Sequence, residues 1–123
     1  MFKAKTIRRR QEAHERAIAE DLMITPGCGA TYHVGSDAYP YYVSEVLPNG
    51  VVGIYSPNSH FKSSWTEGSL VVDKYDASHP TDQYIRRSYG KWWRCDKNGR
   101  RISKFGLGRL AFGHASSYRD PSF

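Results

Sequence analysis

The chain reads as a mainly β protein, a small antiparallel β-barrel or sandwich of about 6–8 short strands with one N-terminal α-helix. Three observations lead there. Gly 11, Pro 6 and Tyr 9 in 123 residues favour pleated segments joined by tight turns. Apolar and aromatic runs of about five residues recur between turn signals every 8–12 residues or so, the spacing of small all-β folds. One segment breaks this pattern: Thr6 to Leu22 contains neither Pro nor Gly and carries three alanines.

In that segment Glu12 and Arg16 form a favourable i,i+4 pair, supported by Arg8/Glu12 and Arg16/Glu20. Ile7, Ile18 and Leu22 supply only a thin apolar stripe. Arg8, Arg9 and Arg10 near the start, and Glu20 and Asp21 near the end, oppose the helix dipole. The helix is therefore expected to be marginal alone and to pack lightly on the body, ending at Pro26-Gly27. This divides the chain into a helix over residues 1–24 and one β domain over 25–123.

Strands are expected at Ala30–Val34, Tyr41–Leu47, Val51–Tyr55, Ser69–Tyr75, Tyr84–Tyr89, Lys91–Cys95, Arg100–Phe105 and Leu110–Phe112. Pro48-Asn49-Gly50 and Asp96-Lys97-Asn98-Gly99 are hairpin turns, since Asn-Gly adopts positive φ at low cost. Pro57-Asn58-Ser59 and Asp76–Gln83 read as loops.

The charge is concentrated. The whole chain carries a formal +6, yet residues 84–104 alone hold eight bases against one acid, Asp96. Tyr84, Tyr89, Trp92 and Trp93 are interleaved with those bases. Cations that meet phosphate beside rings that meet a base are the parts of a nucleotide or nucleic-acid site. A hairpin about Asn98-Gly99 with a loop of two or four residues has the same two faces in either register, because a two-residue shift preserves the pleat. One face, with Trp93, Cys95 and Ile102, reads as core. The other exposes Trp92 between Arg94 and Arg101. Of Arg86 and Arg87, Arg86 is expected to join Tyr84 on the binding side, with Ile85, Arg87 and Tyr89 the more buried set.

The expected ligand site is therefore Tyr84, Arg86, Trp92, Arg94, Arg101 and Lys104, with Arg8–Arg10 extending the cationic track. The partner is a nucleic-acid strand or a small nucleotide messenger. Weighed beside this is an ordinary solvated face, with Trp92 packed under the N-terminal helix.

Gly35–Tyr55, GSDAYPYYVSEVLPNGVVGIY, resembles the first hairpin of small Tudor-like or KOW-like barrels. The resemblance implies an aromatic cage from Tyr39, Tyr41 and Tyr42, with Asp37 or Glu45 as acidic partner, and hence an alternative role as a peptide-binding interaction module. The tail GHASSYRDPSF and the general layout resemble short uncharacterised proteins encoded by bacteriophages and their hosts. That resemblance implies host-interaction roles, such as inhibition of a host defence protein by docking on an acidic surface. His114, Tyr118 and Arg119 would be its phosphate-ligand and stacking candidates, or part of an ordered tail.

Other chemistries lack a signature. His14, His33, His60, His79 and His114 are scattered, so no metal site is expected. No G-x-S-x-G or P-loop occurs, and no cofactor is expected. Asp73, Asp76, His79 and Asp82 are close in sequence; in a cleft they would suit acid–base work, but turn capping is the expected role. The chain is thus read as a binder and not an enzyme. Cys28 and Cys95 are expected as reduced thiols. With neither an apolar span nor a secretory h-region, the chain is expected to be cytoplasmic and free of the membrane, with its oligomeric state open.

Overall fold

The computed structural model describes residues 2–61, 69–103, 106–107 and 110–118. The chain begins with helix α1 (Phe2–Met23) and continues as β1 (Gly29–Val34), β2 (Asp37–Val46), β3 (Val52–Tyr55), β4 (Ser59–Phe61), β5 (Ser69–Val72), β6 (Gln83–Ser88), β7 (Lys91–Cys95), β8 (Leu110–Phe112) and β9 (Ser117–Tyr118). The protein is mainly β, and every strand pairing among the described residues is antiparallel. No described helix is long and apolar enough to cross a membrane.

The long strand β2 organises the sheet. One of its edges carries β1, which in turn pairs with β8. Its other edge is shared. β9 pairs at Ala38, whereas β3 pairs from Tyr42 to Val46, leading on to β6 and β7. Pro40 stands between those two partners. Val43 donates its N–H to Cys28 on the β1 side, so alternation turns residue 40 towards the gap between β9 and β3. There a residue without an N–H breaks no ladder bond. The sheet is not closed into a barrel, because β7 and β8 do not pair.

The core lies on one face of this sheet. Ala30, Val43, Val52, Ile54 and Ile85 are buried, and Trp92, Leu107 and Leu110 join them from the C-terminal half. Both cysteines are free thiols.

Three departures from the sequence reading have physical causes. The short strands β4 and β9 were not expected: two or three residues, Ser-His-Phe and Ser-Tyr, carry too little pattern, and only their partners define them. The expected strand Arg100–Phe105 forms only a bridge, Cys95 with Arg101, and residues 104–105 lie outside the described residues. Finally, Tyr89 is not buried. It is fully exposed at 101% and holds φ 53° beside Gly90 at φ 76°, which makes the two-residue turn between β6 and β7.

The acidic end of α1 is explained by docking. Glu20 accepts hydrogen bonds from Arg87 Nη1 at 2.8 Å and from Trp92 Nε1 at 2.9 Å. Asp21 pairs with Arg87 Nη2. These contacts outweigh the unfavourable dipole, worth about 0.3–1 kcal/mol per charge. Leu22 and Met23 remain exposed, as expected of a lightly packed helix.

Candidate functional site

The turn after β7 decides which basic side chains meet. Gly99 donates to the Asp96 carbonyl at 3.0 Å and Asp96 to the Arg100 carbonyl at 2.9 Å. Asp96 Oδ1 accepts from the backbone N–H of both Asn98 and Arg100. With Gly99 at φ 90° this is a three-residue loop closed by a glycine in the left-handed region. Loops of two or four residues place Arg101 with Trp92. The three-residue loop instead pairs Cys95 with Arg101 and moves Arg101 to the opposite face.

The expected trio of Trp92, Arg94 and Arg101 is therefore not assembled. Trp92 faces the core, 5% exposed, with its ring 5.2 Å from that of Phe112 and its N–H capped by Glu20. The reason lies in the β6–β7 register. It sets Arg87 opposite Trp92 and Ile85 opposite Arg94, so Trp92 shares the face of a fully buried isoleucine. Arg94 reaches solvent from that face, away from Arg101. Of the weighed alternatives, Trp92 under the helix is the observed one. Ile102, placed in the core by the wrong register, is 69% exposed.

A different basic-aromatic group forms on the other face. Register sets Arg86 opposite Trp93 and Tyr84 opposite Cys95. Arg101 follows Cys95 onto that face, and its guanidinium carbon lies 3.9 Å from the Trp93 ring centroid. Trp93 is half-buried and anchors its Nε1–H on the Ser88 carbonyl at 3.1 Å. Arg86 is exposed and lies along the Gly99 turn; a Cβ on Gly99 would stand 2.9 Å from its Nη1. No carboxylate of the described residues forms an ion pair with Arg86, whereas Arg87 is held by Glu20 and Asp21. Together with Arg87 and Cys95, the residues Arg86, Ser88, Tyr89, Trp93, Gly99 and Arg101 line a cleft of about 290 Å³. Burial pushes the Cys95 thiol up; the nearby Asp96 charge adds to this and Arg86 opposes it.

Arg86 thus stands on the expected side with Tyr84, but Tyr84 does not line the cleft: its hydroxyl donates to Glu45 at 3.0 Å. Lys104 and Arg119 lie outside the described residues. Arg8, Arg9 and Arg10 are exposed on α1. His114 is exposed, and Tyr118 belongs to β9. The cleft residues missed in the sequence were Trp93 and Tyr89. The usable signal for Tyr89 was the adjacent Gly90, which adopts positive φ freely and so marks a turn.

The three hairpin tyrosines do not form a cage. Strand alternation puts Tyr39 and Tyr41 on one face of β2 and Tyr42 on the other. Tyr41 packs on the core. Tyr42 instead joins Tyr55 and Tyr75, with ring centroids 5.7–6.3 Å apart, too close to admit a ligand between them. His79 stacks on Tyr55 at 4.0 Å and 13°. Asp37 lies at the start of β2, and Glu45 is engaged by Tyr84.

Asp73, Asp76 and His79 line a small cleft of about 140 Å³, and Asp76 and Asp82 hold backbone N–H groups. Asp76 Oδ1 accepts from the N–H and hydroxyl of Ser78, which holds its carboxyl below the usual carboxylate value. Asp82 Oδ2 accepts from the Ser56 N–H. His79 Nδ1 donates to the Pro80 carbonyl at 2.7 Å. Among the described residues no group of three or more His, Cys, Asp or Glu side chains is arranged to hold a metal ion. Comparison with family models, with curated proteins and with solved structures finds no match to this chain.

Proposed function

We propose that this chain binds phosphate-bearing ligands, a nucleic-acid strand or a small nucleotide, without turning them over. The site is the cleft of Arg86, Trp93 and Arg101. The observation that carries this reading is the placement of two guanidinium groups and an indole on one face, with Arg86 free of any ion pair among the described residues. Guanidinium forks match phosphate oxygens bidentately, and a planar guanidinium on an indole is held ready for them. In the 73–82 loop the Asp76 and Asp82 carboxylates already accept hydrogen bonds from the Ser78 and Ser56 N–H groups.

The test is equilibrium binding of fluorescent nucleotides and of a short oligonucleotide to the parent, to Arg86→Glu/Arg101→Glu and to Arg94→Glu. The double variant is expected to lose binding, and Arg94→Glu to keep most of it. Equal losses would mean that net charge, and not this cleft, holds the ligand. Capture of an acidic protein that nucleotides fail to displace would replace this reading with a docking role.

A further inference from the structure

The tip of the β6–β7 hairpin contains an unfavourable choice. A turn with positive φ at both central residues suits Asn or Gly first and Gly second. Here Tyr89 occupies the first position at φ 53°, and its side chain is fully exposed. A tyrosine in the left-handed region is strained, and a ring wholly in water returns nothing to the fold. This ring stands at the mouth of the cleft that Arg86 and Arg101 line.

The cleft is also small and open. About 290 Å³ lies at the lower limit for a site that engulfs a small molecule. Cations continue outside it: Lys91 at the start of β7, and Lys97 and Arg100 at the turn after its end, are exposed. A compact nucleotide in the cleft would leave those charges idle, whereas a chain of phosphates would pass them in turn.

Building on the cleft reading above, we propose that the ligand is single-stranded nucleic acid laid over the hairpin tip. One unpaired base stacks on Tyr89, and the flanking phosphates meet Arg86 and Arg101. Trp93 is the positioning residue: its ring carries the Arg101 guanidinium, and the Ser88 carbonyl fixes the ring. A duplex keeps its bases stacked internally and offers Tyr89 none.

Anisotropy titration of a labelled oligothymidylate of about 12 nucleotides tests this, with thymidine monophosphate and a duplex of equal length as competitors. The parent should bind the single strand best. Its affinity should fall with salt by about 0.7 log units per phosphate contacted for each log unit of salt. Tyr89→Asn, which suits the turn better, should melt no lower than the parent yet bind about tenfold more weakly. Tyr89→Phe should bind like the parent. Unchanged affinity in Tyr89→Asn overturns the stacking assignment, and a monophosphate that competes as well as the strand overturns the choice of ligand. Both results leave the cleft reading intact if Arg86→Glu abolishes binding. If no phosphate-bearing probe binds the parent, the cleft reading itself is lost, and this proposal with it.

Discussion

The Arg101 guanidinium lies 3.9 Å above the centroid of the Trp93 ring, a contact across the three-residue loop that follows β7. Replacing Arg101 with Lys keeps the charge but loses the planar stack. Stability should fall by about 0.5–1 kcal/mol, measured by urea unfolding. Indole emission should change with it, because Trp93 loses its cover while Trp92 stays buried. An Arg101→Lys variant indistinguishable from the parent would show that the stack contributes nothing in solution.

Glu20 serves two donors at once, Arg87 and the buried Trp92 indole. Glu20→Ala leaves the indole N–H without a partner at the edge of the core and should destabilise by about 1–3 kcal/mol. Glu20→Gln retains an acceptor for Trp92 and should recover part of that loss. Hydrogen exchange over the last turns of α1 should accelerate in Glu20→Ala before the sheet is affected. Exchange that rises equally in β3 would instead mean that the helix and sheet unfold as one unit.

Gly99 links the turn to the cleft. At φ 90°, a residue with a side chain is strained, and its Cβ would press on Arg86 Nη1 at 2.9 Å. Gly99→Ala should therefore cost about 1–2 kcal/mol in stability from backbone strain alone. Because the arginine end is flexible, it should move aside, and phosphate binding should weaken as well. Asn at this position tolerates the left-handed region better and should be the milder change in stability while still displacing Arg86.

Acid should loosen the 73–82 loop through Asp76. Its folded carboxyl sits below the usual value of 3.8 because Ser78 donates two hydrogen bonds to it. A lowered folded pKa contributes stability that is present above the unfolded value and disappears as pH falls through the folded one. The stability difference between the parent and Asp76→Ala should accordingly be constant near neutrality and vanish in acid. A difference that persists unchanged to low pH would assign the loss to packing and not to the carboxylate.

Cys95 should behave in the opposite direction. Burial raises its thiol pKa, so its stabilising effect holds below the ordinary thiol value of 9.0 and fades as pH rises through the raised one. In the native protein at neutral pH it should react with iodoacetamide far more slowly than after unfolding, as mass spectrometry of the alkylated peptide would show.

Local chemistry alone was enough for several elements. The absence of Pro and Gly before Pro26 marks the helix, period-2 patterning marks β1, β3, β6 and β7, and the Asn-Gly pairs mark two turns. The concentration of cations in residues 84–104 is likewise a property of the sequence, as is the pairing of Arg86 with Tyr84 on one face, because alternation along a strand needs no tertiary information. Which of those cations meet each other was not determined there. Turns of two and four residues agree on the faces of a hairpin, and a turn of three reverses them. Asp96 makes that choice by capping the N–H groups of Asn98 and Arg100. The exchange of Arg94 for Arg86 as the partner of Arg101 follows from one residue of register in that turn, and the burial of Trp92 in place of Trp93 from the β6–β7 register. The same holds for Glu20, whose partners lie 67 and 72 residues away. Contacts between distant segments depend on how strands align, and a pleat with a period of two turns the smallest misalignment into a change of face.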